Sequence, residues 1–231
     1  MTNPVRAFCR GWPGLAGLLA GLAMACGTAL AAEPGTLEST QPCCGPISPA
    51  GQTVARLLED SGVDHLWLAH QHVNWESGVQ DRAADTAGLG RATHCSAYVA
   101  AMGKRLGVFM LRPPAHSARL LASAQTLWFS SADGRQQGWE AIASAQEAQS
   151  RANAGALVVI SYASPNPRKP GHIAIVRPSL KTQEQLEAEG PQIAQAGFTN
   201  SPDWSTRQGF SHHPDAWPHG VRYFAHALPT P

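Results

Sequence analysis

The residues with most to offer chemically stand far apart in the chain: Cys95 in RATHCSAYVAAMGKRLGV, His172 in PGHIAIV, and Gln195 and Asn200 in PQIAQAGFTN. A thiol becomes a nucleophile when it loses its proton. A helix N-terminus favours that loss, because its unpaired N–H groups and dipole stabilise negative charge. Thr93 and His94 precede Cys95, and an apolar stripe of Tyr98, Val99, Met102 and Leu106 follows it, so Cys95 stands where a helix start is expected. Its own N–H would face an oxyanion developing on a substrate carbonyl.

Such a thiol needs a base brought in from elsewhere in the sequence. His172 opens an apolar, β-branched strand directly after Gly171. From a strand's start it can point out of the sheet toward a helix packed across it. An imidazole acting as base needs an acceptor for its other ring N–H. Gln195 interrupts the apolar alternation of PQIAQAG, facing the same way as Ile193, and a glutamine there wants a partner. Asn200, just past that strand, is the alternative. The expected catalytic set is therefore Cys95, His172 and Gln195, with Asn200 as the other candidate for the orienting role and no cofactor.

Each of these residues also has a plain structural use, as a buried helical cysteine, a satisfied strand-end histidine or a hydrogen-bonded core amide. Ten histidines raise the question of a metal. His70 and His72 can chelate from a strand, and His212, His213 and His219 cluster near the C-terminus. A catalytic zinc wants three protein ligands and an open position. HExxH is absent and no carboxylate stands at a telling spacing, so no metal is expected; a zinc-dependent hydrolase using the C-terminal histidines is the alternative. Asn74 and Trp75, upstream of the cysteine, are candidates for an oxyanion donor or a cleft wall.

The elements that must position these groups are expected in two runs. Helices are predicted over 50–62, 95–106, 115–125 and about 137–153, separated by a loop-rich stretch at 65–90 and the Pro113-Pro114 break. The pattern then switches to β-branched residues. Strands are predicted at 156–163, 172–176, 191–197 and 220–228, with a polar helix or turn at 180–189. Helices followed by antiparallel strands make an α+β domain, with N-terminal helices packed on the sheet.

Residues 1–32 read as a signal peptide, with Arg6 and Arg10 before an apolar run and Ala29-Leu30-Ala31 as the cleavage pattern. Acylation of Cys26 is the competing reading. The expected product is exported, periplasmic or secreted, with no membrane span. Residues 33–49 read as a flexible leader and 50–231 as a single domain. Removing Arg6 and Arg10 takes the 17 basic residues to 15 against 16 acidic ones, and no basic patch argues for nucleic acid. Cleavage also removes Cys9 and Cys26, leaving Cys43, Cys44 and Cys95, an odd number for an oxidising compartment. Either the adjacent Cys43 and Cys44 pair, leaving Cys95 free, or one of them pairs with Cys95.

Taken together, these motifs resemble a family. HCSAYVAAMGKRLGV is similar to the Cys-Ser-Gly-aromatic helix of bacterial papain-like cell-wall cysteine peptidases, the NlpC-type and CHAP groups. AGALVVISYA and PGHIAIV resemble their paired strands, opened by Gly-Asp and Gly-His, and IAQAG lies where they place a third polar residue. The resemblance spans roughly residues 90–200. It implies a papain-like fold, a Cys95–His172 dyad oriented by Gln195, and hydrolysis of amide bonds in peptidoglycan stem peptides or cross-links. Ala97 replaces the family's Gly, Gly155-Ala156 lacks its Asp, and a helical insertion over 113–153 lengthens the spacing from Cys95 to His172 to 77 residues. A catalytically silent wall-binding module on the same fold is the competing expectation.

Overall fold

The computed structural model describes residues 41–82 and 92–229. The expected signal peptide and the first part of the leader, 33–40, lie outside the described residues. Helix α1 (Pro49–Glu59) starts with Ser48, whose side chain accepts from the Gly51 N–H, and with Pro49 in the first turn. Helix α2 (Cys95–Arg105) is buried along every residue from Cys95 to Gly103, so it is a central helix that reaches solvent only at Lys104 and Arg105. Helices α3 (Leu121–Phe129) and α4 (Ala132–Gln136) follow. The third helix begins later than its expected start at 115.

The segment expected as one helix over 137–153 is instead strand β1 (Glu140–Ile142) followed by helix α5 (Ala145–Asn153). Two local causes divide it. Trp139 is buried against Phe129, with ring centroids 4.3 Å apart, and Ser144 caps a new helix by accepting from the Glu147 N–H.

Strands β2 (Leu157–Tyr162) and β3 (His172–Val176), helix α6 (Gln183–Glu189) and strand β4 (Gln192–Gln195) follow the expected order. Strand β5 (Ser201–Ser205) and the short helix α7 (Thr206–Gly209) replace what reads as loop, and β6 (Arg222–His226) completes the set. One antiparallel sheet runs β1-β6-β2-β3-β4-β5. The protein is therefore α+β, with six antiparallel strands and seven helices among the described residues.

Strand β2 is buried on both faces, which is why LVVISY reads as a continuous apolar run. Leu157 and Val159 join Tyr98, Val99, Met102 and Phe129 from α2 and α3 in one core. Val158, Ile160 and Tyr162 face a second core with Ala148 and Ala152 of α5 and with Phe210. Helices thus cover both sides of the sheet.

Residues 41–48, the described part of the segment expected as a leader, are hydrogen-bonded to the domain. The Cys43 N–H donates to Lys181 O, the Asn153 side-chain amide donates to Gly45 O, and the Ser48 N–H donates to Asn153 O. Cys43 and Cys44 are joined by a disulfide, and Cys95 is the free cysteine among the described residues.

Candidate active site

His172 opens β3 beside Tyr162, its partner across the β2–β3 ladder. The strand can approach there only because residue 171 is glycine: a Cβ on it would meet Tyr162 O at 2.0 Å. Ser123 on α3 fixes the same point, its hydroxyl accepting from the Gly171 N–H at 3.1 Å and the Ser164 N–H at 3.4 Å. One side chain of the inserted helix thereby ties together both ends of the loop 164–171.

The His172 ring is 5% exposed and its Nε2 lies 2.8 Å from Gln195 Oε1. Gln195 ends β4, is itself buried, and donates its Nε2 to Thr199 O at 2.9 Å. That second bond fixes which end of the amide faces the ring. An amide oxygen only accepts, so Nε2 of His172 carries the proton and Nδ1 is the basic nitrogen. Gly209 lets α7 press on this pair, since a Cβ there would sit 2.6 Å from Gln195 Oε1.

Asn200 does not reach His172. Its Oδ1 accepts from the Gly197 N–H, and its Nδ2 donates to the carbonyls of Val63, Leu66 and Trp67, tying the β4–β5 turn to the 63–67 loop. Its role as alternative orienter is corrected to that of a loop brace. Asn74 is also spoken for, its side chain capping the N–H groups of Glu76 and Ser77, while the Trp75 ring lies under Lys104.

Cys95 is the first residue of α2, as expected, and 5% exposed. Burial pushes its thiol up to about 11, while the backbone N–H groups of Ile173, Ser96 and Cys95 itself pull the other way. The expected lowering by the helix start is present but outweighed by desolvation. The Ile173 N–H places the sulfur beside β3, next to the residue that follows His172.

The two groups come to that strand from different sides. Alternation along β3 puts His172 with Ala174 and Val176 on the Phe210 side, whereas Cys95 belongs to the core of Ile173 and Ile175. The expectation that His172 points from the sheet toward the helix across it is corrected accordingly: sulfur and imidazole meet the beginning of β3 from its two faces.

Burial drives His172 down to about 4, partly offset by its bond to Gln195 and reinforced by the nearby His213 and His212. With the thiol raised and the imidazole lowered, the pair rests as neutral thiol and neutral imidazole at pH 7. His172 and Gln195 open onto a depression shared with Thr93, Phe198, His212 and His213. It continues into a cleft of about 460 Å³ walled by Tyr162, Lys169 and Asp215.

Two imidazoles of the alternative zinc reading, His212 and His213, thus lie at the site, while His219 lines a separate hollow with Trp217 and Tyr223. His72 bonds Asp81, and the His70 ring lies 6.0 Å from that of Phe198. Among the described residues no three His, Cys, Asp or Glu side chains converge as a metal site. Phe210 and His213 pack on the His172 ring; in the sequence His213 stands out only as one of the clustered histidines, and Phe210 not at all. No model of a known protein family matches the chain, and no curated protein matches it.

Proposed function

We propose that this protein is an exported cysteine hydrolase of papain-like fold that cleaves amide bonds in peptidoglycan stem peptides. The observation that carries the reading is the buried His172–Gln195 hydrogen bond, which leaves Nδ1 as the basic nitrogen, while the Ile173 N–H draws the Cys95 sulfur to the start of the same strand from its other face. For attack on the amide carbonyl, the Cys95 thiol proton passes round the start of β3 to Nδ1 as Sγ adds to the carbonyl carbon. The imidazolium returns that proton to the leaving amine, and water then hydrolyses the thioester with His172 again as base. The Cys95 and Ser96 N–H groups at the start of α2 are suited to the oxyanion. Because the resting pair is neutral, the proton moves during attack. A peptide in the cleft along Tyr162, Phe198 and His213 would present its carbonyl at the strand end.

The substrate class rests on the resemblance to NlpC-type and CHAP peptidases and on the signal-like segment 1–32, which delivers the chain to where cell wall is found. No helix among the described residues is long and apolar enough to cross a membrane.

A second reading, a silent wall-binding module, draws support from the buried thiol and its high proton affinity. Incubation with purified peptidoglycan separates the two. The hydrolase releases new amino groups into the supernatant in proportion to protein and time. A silent module sediments with the wall and releases none, and that outcome would refute the enzymatic reading.

A further inference from the structure

The turn after α7 does more than close the fold. Phe210 and His213 stand three residues apart and are joined by a hydrogen bond from the His213 N–H to Phe210 O, at 2.8 Å. Both rings come to His172. Phe210 meets it edge to face with centroids 4.7 Å apart, and His213 lies nearly parallel to it, 17° between planes and 5.6 Å between centroids. His213 is only half-buried, so it stands between the base and the water of the cleft.

We propose that His213 is a positioning residue for His172: its ring holds the base in register with Gln195, and its charge, whenever it binds a proton, opposes proton transfer to the base. The inference rests on the hydrolase reading for its effect on turnover, but not for the coupling between the two rings.

Parallel imidazoles at this separation cannot both be cationic without repulsion, and the flanking rings of Phe210 and Tyr162 supply no compensating charge. The ionisable groups around the pair are few. Cys95 lies at the far side of β3, and Tyr162 faces His213 from β2 with centroids 5.6 Å apart. His212 and Asp215 belong to the same segment as His213, and Lys169 stands across the cleft. Burial and the neighbouring His212 both lower the proton affinity of His213. Its charged form therefore appears only as pH falls below the ordinary histidine range.

During attack His172 must become an imidazolium. A neutral His213 tolerates that charge and a protonated one resists it, so kcat should fall on an acid limb that belongs to His213. While His213 carries that charge, a neutral His172 is a poorer base.

The test is a pair of titrations on the intact protein, histidine ring resonances followed by NMR and kcat followed against pH, for wild type, His213→Phe and His213→Ala. Phenylalanine keeps the stacked ring and removes the charge, whereas alanine removes both. In His213→Phe the His172 titration should move up by roughly half a pH unit to one unit, as expected for one like charge at this separation. The acid limb of kcat should move down toward His172's own titration. His213→Ala should lower kcat on its alkaline plateau several-fold, with phenylalanine restoring it. An unchanged His172 titration in His213→Phe would overturn the coupling even if no turnover is found. An active His213→Phe enzyme with the wild-type pH profile would overturn the effect on catalysis, and a fully active His213→Ala would overturn the positioning role.

Discussion

His172 gives up solvent on nearly all sides and keeps one strong partner, Gln195 Oε1. The same burial that fixes its tautomer also couples it to stability. Its proton affinity is lowered in the folded protein, to about 4, whereas in the unfolded chain it titrates near 6.5. Between those values the unfolded state binds more protons, so folding stability is full above pH 6.5 and is lost as pH falls toward 4. At about 1.4 kcal/mol per unit, the loss is on the order of 3 kcal/mol. Urea midpoints at pH 7 and pH 4.5 should show a clear acid weakening that His172→Gln removes in large part. Equal acid sensitivity in the variant would show that other groups carry the effect. Cys95 has the opposite dependence: its raised thiol keeps the native state protonated, so its contribution fades only in alkali, as pH rises from about 9 toward 11.

Among the elements, α3 has the least obvious role. It belongs to the insertion between Cys95 and His172, yet its Ser123 hydroxyl holds both ends of the loop 164–171 that forms one wall of the cleft. Ser123→Ala removes an acceptor from two N–H groups, a loss of about 1–2 kcal/mol in local order. If the loop binds substrate, as the proposed hydrolase requires, KM should rise roughly 5- to 30-fold for that loss, with kcat changed far less. A fall in kcat at constant KM would instead place Ser123 with the reacting groups. The main site elements were legible because their signals are local. A cysteine at a helix start and a histidine opening a β-branched strand each announce themselves within about ten residues, and Gln195 stood out as a polar residue among apolar ones. Strand β5 did not, because SPDWS has no alternation, carries Pro202 and pairs only on one side, with β4. Strand β1 was masked by the Ala/Gln/Glu-rich α5 beside it, and β1 exists only because β6 offers it an edge. Asn200 looked like an orienter until the turn after β4 carried it away toward the 63–67 loop. His213 was invisible as a partner of His172 because their contact depends on how α7 folds back across the sheet, which no local pattern encodes. The faces of β3 on which Cys95 and His172 lie were likewise decided by the packing of α2 and α7, not by any spacing between the two residues.

Across the molecule, one buried side chain joins regions distant in sequence. Asn153, at the end of α5, donates to the carbonyls of Gly45 and Ser179 and accepts from the Ser179 N–H and from Gln149. It thus fastens the segment bearing the Cys43–Cys44 disulfide to the connection between β3 and α6. Asn153→Ala leaves several buried backbone groups without partners and should cost about 2–4 kcal/mol, read as a lower urea midpoint with an unchanged slope. A midpoint within about 0.5 kcal/mol of wild type, the range of an ordinary surface change, would mean that solvent replaces those bonds. With the N-terminal segment fastened in this way, the candidate active site is framed by both faces of one sheet, and α2 and α7 approach the same strand end from opposite sides. The central claim is that this convergence makes Cys95 a nucleophile served by His172. The most direct measurement is the rate at which soluble muropeptides are cleaved by wild type, Cys95→Ala and His172→Ala, each first shown to be folded by its unfolding transition. The account predicts cleavage by wild type and a loss on the order of 1,000-fold or more in each variant. Cleavage by either variant at the wild-type rate would contradict it.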